Sequence, residues 1–69
     1  MSVLKVIELM GNSTESFEKA VENVIAQASK TINNIRSVYI QDMQVSVDNN
    51  KIVQYRVTTK VSFEISMQE

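Results

Sequence analysis

The chain has no cysteine, no histidine, no proline and no tryptophan, and its single glycine is Gly11. Each absence removes a class of chemistry. Without cysteine, no disulfide staples a chain of 69 residues, a length at which a hydrophobic core alone is marginal. Without a Cys or His set, a structural zinc site is excluded. No imidazole and no thiol means no His-based acid–base pair and no thiol nucleophile. One glycine cannot build a Gly-rich phosphate loop. The shortage of proline and glycine also leaves no room for a linker or a low-complexity segment. No internal repeat stands out, so residues 1–69 read as one domain made almost entirely of regular structure. Neither charge sign dominates, with 7 Lys and Arg against 8 Asp and Glu and a net charge of −1. The charges are interspersed, which gives no footprint for nucleic acid and no polybasic membrane patch. The apolar run from Val3 to Met10 is short and broken by Lys5 and Glu8, unlike a signal peptide or a membrane span. The expectation is a soluble cytoplasmic protein, and the lack of cysteine fits a reducing compartment.

What the chain does have is one clear amphipathic helix, expected between Asn12 and Asn34. Phe17, Ala20, Val21, Val24, Ile25, Ala28 and Ile32 recur at the spacing of one helical face. Glu15, Glu18, Lys19, Glu22, Asn23, Gln27 and Lys30 fill the wet side. Asn12 or Ser13 serves as N-cap, with Glu15 closing an approximate capping box on Asn12. Glu15 and Glu18 suit the positive end of the dipole and Lys30 the negative end. Asn33-Asn34 suits a left-handed stop. A helix of about 19 residues is roughly 28 Å long. Val24 and Ile25 fall at the middle of the stripe and are expected at the centre of the core.

Three strands surround it. Residues 2 to 10 place Val3, Lys5, Ile7 and Leu9 on one face and Leu4, Val6, Glu8 and Met10 on the other. Both faces are mostly apolar, so both are expected to be covered. Gly11 then turns the chain sharply into the helix. Residues 35 to 47 are rich in β-branched and aromatic types, but their phase breaks. Val38 and Ile40 share one parity, and Met43, Val45 and Val47 the other. Either a β-bulge near Gln41-Asp42 restores the phase, or the two halves bury opposite faces. Asp48-Asn49-Asn50-Lys51 is a tight-turn signal. Residues 52 to 65 alternate with period 2: Val53, Tyr55, Val57, Thr59, Val61, Phe63 and Ile65 face the helix, and Gln54, Arg56, Thr58, Lys60, Ser62 and Glu64 face away. The tail after Ser66 is expected to fray. The fold class is α+β: a β-α-β-β protomer whose three-stranded antiparallel sheet partly wraps one helix. The last strand lies between the other two, and the crossover is right-handed.

A 14-residue strand spans about 46 Å, well beyond the helix, so edges and one sheet face stay uncovered. That predicts a homo-oligomer. The chemistry-bearing candidates are few. Glu15, Glu18 and Glu22 read as a solvated helix face, Asp48-Asn49-Asn50 as a turn rather than a calcium loop, and the methionines as core filling. The polar row on the outer face of the last strand is either the wet side of a sheet or, if copies assemble sheet to sheet, the lining of an internal site. No enzyme is expected.

An ordered set of segments carries a resemblance over nearly the whole chain. It runs from Lys5-Val6-Ile7-Glu8-Leu9-Met10-Gly11 into Ser13-Thr14-Glu15-Ser16-Phe17, through Ala28-Ser29-Lys30-Thr31-Ile32-Asn33-Asn34-Ile35, and closes with Val61-Ser62-Phe63-Glu64-Ile65. The chain resembles a dodecin. The resemblance implies a hollow homododecamer that binds flavin (riboflavin, FMN or FAD) in pairs between subunits, for storage or buffering. The resembled flavin binders carry a Trp on the second strand that stacks on the isoalloxazine, and a Gln on the third strand that bonds the ring edge. Those positions are Ser37 and Arg56 here. Arg56, with Asp42-Met43 upstream, looks like a dodecin subgroup described as calcium-binding, for which Glu15 and Asp42 are the candidate ligands. Tyr39 is an alternative stacking residue, and Asp42 an internal partner for Arg56. Two further readings stand beside flavin storage. One is an assembly holding calcium or an anionic metabolite. The other is a structural oligomer or a regulatory module resembling half of a ferredoxin-like domain.

Overall fold

The computed structural model describes residues 3–65. Four elements follow in the order β1 (Val3–Ser13), α1 (Phe17–Ala28), β2 (Ile35–Asp48) and β3 (Lys51–Ile65). The sheet order is β1-β3-β2, with β3 antiparallel to both neighbours. The α+β architecture expected from the sequence is therefore present. Ser2, placed in the first strand by the periodicity, and the tail after Ser66 lie outside the described residues.

The helix is shorter than its stripe suggests. It begins at Phe17, and its N-cap is Ser16, whose Oγ accepts the Lys19 N–H at 2.9 Å. The expected caps Asn12 and Ser13 belong to β1 instead, opposite Arg56 and Tyr55. The long third strand offers ladder partners as far as Ser13, and ladder pairing outcompetes an early helix start. Ser13 still turns the chain, because its Oγ accepts the Glu15 N–H at 2.9 Å. Glu15 thus lies outside the helix, and only Glu18 is acidic in the first turn. At the other end the helix stops at Ala28. The bonds then tighten, with Lys30 N–H to Gln27 O and Thr31 N–H to Ala28 O. Among the described residues only Asn49 and Asn50 have positive φ, so Asn33-Asn34 is no left-handed stop. Lys30 lies past the helix end.

Gly11 is not a turn residue either. It is inside β1, its φ is not positive, and α1 crosses directly above it. A Cβ at this position would run into the Val24 side chain and sit 2.7 Å from the Ala20 carbonyl oxygen.

The core is small. Ala20 and Val24 of α1 meet Val57 and Val61 of β3, with Ile7, Leu9, Phe17, Val21, Ile35 and Val38 packed around them. Val24 is central as expected, but Ile25 is 39% exposed. One position on from Val24 is a rotation of about 100°, which carries Ile25 out of the buried stripe. Thr59 is fully buried and donates from Oγ1 to the Leu9 carbonyl at 2.8 Å. Phe17 and Tyr55 meet edge to face with ring centroids 5.1 Å apart.

The phase break in β2 is a bulge. The register shifts between Ile40 and Asp42, leaving Gln41 as the extra residue. Val38, Ile40, Met43 and Val45 consequently all stand opposite the helix-facing residues Val61, Thr59, Val57 and Tyr55. The turn is also as read: Asn49 and Asn50 have φ of 54° and 62°, the pair of left-handed residues that a two-residue hairpin requires.

Candidate functional site

The face of the sheet turned away from α1 carries the residues that the resemblance singles out. Strand alternation and the ladder register place them. On β3 the face holds Gln54, Arg56, Thr58, Lys60, Ser62 and Glu64. On β2 it holds Ser37 opposite Ser62, Tyr39 opposite Lys60, Asp42 opposite Thr58, Gln44 opposite Arg56 and Ser46 opposite Gln54. On β1 it holds Leu4, Val6, Glu8, Met10 and Asn12. Leu4, Val6 and Met10 are 55%, 56% and 61% exposed. An apolar column on β1 thus runs beside a polar one on β3, and α1, on the opposite face, covers neither.

Ser37 and Ser62 form a cross-strand hydroxyl pair, Oγ to Oγ 2.5 Å. No ring stands at this place, so a flavin finds nothing to stack on there. Tyr39 is two residues on along the same face and strongly exposed, the aromatic side chain this face offers. Arg56 is half-buried, and its guanidinium donates to Gln54 Oε1 at 3.4 Å. Asp42 shares the face but forms no ion pair with Arg56; the ion pairs among the described residues are Lys19–Glu22 and Arg36–Glu64. Asp42 stands one row along and one strand over, a diagonal separation of about 7–8 Å, and the Arg56 guanidinium turns to Gln54 instead. The Arg36–Glu64 pair, 2.5 Å, is exposed at the arginine. The Glu64 carboxylate, by hydrogen bond and by charge, holds the Arg36 guanidinium above its already high ordinary value.

The two calcium candidates are not brought together. Glu15 follows β1 beside the helix cap, and Asp42 lies on β2. Among the described residues no three Asp or Glu side chains gather into a group able to hold a metal ion. Calcium asks for six to eight oxygen ligands, so one copy of this face does not fit it. Two grooves open elsewhere. One of about 270 Å³ lies between β1 and α1, lined by Leu9, Met10, Gly11 and Asn12 of β1 and by Asn23, Val24 and Gln27 of α1. The other, about 340 Å³, is lined by Phe17, Glu18, Val21, Glu22 and Ile40. Neither contains Ser37 or Arg56.

The periodicity places Ser62 on this face but does not pair it with Ser37, and it does not single out Asn12 or Gln44. Their pairing depends on where the bulge falls and how far β1 extends, and only the register supplies both. No helix of the described chain is long and apolar enough to cross a membrane.

Comparison with known proteins gives a consistent result. The calcium dodecin of Mycobacterium tuberculosis is 32% identical over 65 residues, covering 94% of this chain and 92% of that one. A crystal structure of calcium dodecin from the same organism, described as calcium-chelating and as having a calcium-binding site, matches with a TM-score of 0.81 at 29% identity, over 99% of this chain and 97% of that one. The dodecin from Streptomyces davaonensis matches with a TM-score of 0.89 at 26% identity, over 96% and 97% of the two chains. The family model for dodecin covers residues 3–66. With the β-α-β-β order and the β1-β3-β2 sheet, this establishes that the chain belongs to the dodecin family.

Proposed function

We propose that this protein is a self-assembling, non-catalytic binding or storage protein for a small molecule, working as a homododecamer of single-domain subunits in the cytoplasm. Proteins of the dodecin family are oligomers and non-enzymatic binders. The observation that carries the proposal is the outer sheet face. Its apolar column Leu4, Val6 and Met10 lies open beside a polar column that an assembled shell would enclose. The absence of histidine and cysteine supports the non-catalytic part of the reading.

Flavin is not the ligand that this face suits. Ser37 supplies no ring, and an aromatic pair is worth roughly 0.5–1.5 kcal/mol beyond the area it buries. Arg56 replaces an amide, which both donates and accepts, with a cation that only donates. Riboflavin titration with fluorescence quenching tests this. The expected result is weak or no quenching by the parent, and tighter binding by the Ser37→Trp/Arg56→Gln double variant. Tight quenching by the parent contradicts the reading and assigns the stacking role to Tyr39.

Calcium is the second reading, favoured by the likeness to calcium dodecin. Asp42 and Glu15 would then be ligands completed by residues of neighbouring copies. Calcium titration of the parent and of Asp42→Asn distinguishes it, with loss of binding in the variant as its signature.

A further inference from the structure

The outer face contains a half-buried cation, Arg56, that forms no ion pair among the described residues. The chain has an exposed arginine, Arg36, with a carboxylate at 2.5 Å. Arg56 is the more buried of the two, yet it forms no ion pair among the described residues and makes one long hydrogen bond, to Gln54. Removing a guanidinium from water without a counter-charge costs free energy that a bound anion restores.

The neighbours of Arg56 have the character of a receptor. Asn12 on β1 and Gln44 on β2 flank it in the same ladder row, and Ser46 stands opposite Gln54. All are neutral. The Asn12 and Gln44 side chains hold no hydrogen bond among the described residues, because the Asn12 partner, Asn23, bonds the backbone carbonyl. Both side chains are exposed, so their amide N–H groups are open to a ligand's acceptor oxygens. The acids of this face stand in other rows: Asp42 in the next one, opposite Thr58, Glu8 opposite Lys60, and Glu64 at Arg36. A planar guanidinium fork flanked by two amides on a rigid central strand matches the oxygens of a carboxylate or a phosphate. It repels a metal ion and offers no surface for stacking a neutral ring.

We propose that the Asn12–Arg56–Gln44 row is a binding site for a small oxyanion, a carboxylate or phosphate group. This rests on the binding-protein reading above and names its ligand class, and the site is built within one copy of the chain.

The test titrates inorganic phosphate and succinate separately into the full-length protein by calorimetry, in a buffer whose buffering species is a cation. Saturable binding of phosphate alone assigns a phosphate ligand. Binding of succinate alone assigns a carboxylate, and binding of both assigns a general oxyanion site. In each case Arg56→Gln is expected to weaken binding about tenfold or more. Arg56→Lys, which keeps the charge but not the fork, should fall between. Asp42→Asn should bind as tightly as the parent or more tightly. Circular dichroism on each variant establishes that it is folded. Binding unchanged by Arg56→Gln, binding lost in Asp42→Asn, or no saturation by either anion would each overturn the proposal. Light scattering on the same samples separates it from the assembly reading. A monomer with Arg56-dependent anion binding keeps the site and removes the assembly; an assembled shell without anion binding does the reverse.

Discussion

Gly11 tolerates no side chain because α1 crosses β1 directly above it. Its hypothetical Cβ meets the Val24 methyl and stands 2.7 Å from a backbone oxygen of Ala20. Gly11→Ala is expected to destabilise the fold by about 1–3 kcal/mol, the usual range for overpacking. Adding Val24→Ala should not rescue it, since the carbonyl stays in place; rescue measured by thermal melts would show that the side chain alone sets the spacing. Val24→Asp is more severe. It places an unpaired carboxylate among Ala20, Val57 and Val61, at a cost of several kcal/mol as an order of magnitude. Ile25→Asp, on an exposed position one residue along, should melt near the parent. Equal losses at the two positions would mean that Ile25 is covered in solution.

At the scale of elements, the sequence was most readable where a periodicity ran uninterrupted. The alternation of residues 52 to 65 and the Asn49-Asn50 turn correspond to β3 and its hairpin. The helix face was legible at Ala20, Val24 and Ala28, all buried, while the helix ends were not. Asn12, Ser13 and Ser16 are all good N-caps by type, and the choice among them is made by the length of the β1–β3 ladder, a non-local fact. Gly11 was misread for the same reason: its purpose is the approach of another element, not its own backbone angle. The site shows the same division. Ser37 and Arg56 are named by the resemblance, but of the amides flanking Arg56, Gln44 depends on the bulge in β2 and Asn12 on how far β1 extends. The cap assignment is testable. Ser16→Ala should cost about 1 kcal/mol, while Asn12→Ala, whose side chain caps nothing, should cost far less. Chemical denaturation with equal slopes for both variants reads the difference, and the reverse order would restore the earlier helix start.

The whole molecule is too elongated for its length. Its radius of gyration is 14.4 Å and its extents are 57 × 20 × 13 Å, whereas a compact chain of this size has a radius near 11 Å. Its accessible surface is 5181 Å², against about 4400 Å² for a folded monomer of this mass. The reason lies in the elements. A 12-residue helix covers about 18 Å, and the 15 residues of β3 run to roughly 50 Å. The excess strand carries Val47, Ile52 and Val53, and Met43 and Val45 lie beside the helix end; all are exposed. A patch of that kind marks an interaction surface, and a second copy of the chain is the occupant expected here. Light scattering at micromolar concentration tests this central claim most directly. The account predicts a single species of about twelve times the chain mass, near 94 kDa, held by closed point-group symmetry. A monomer near 7.8 kDa would contradict it.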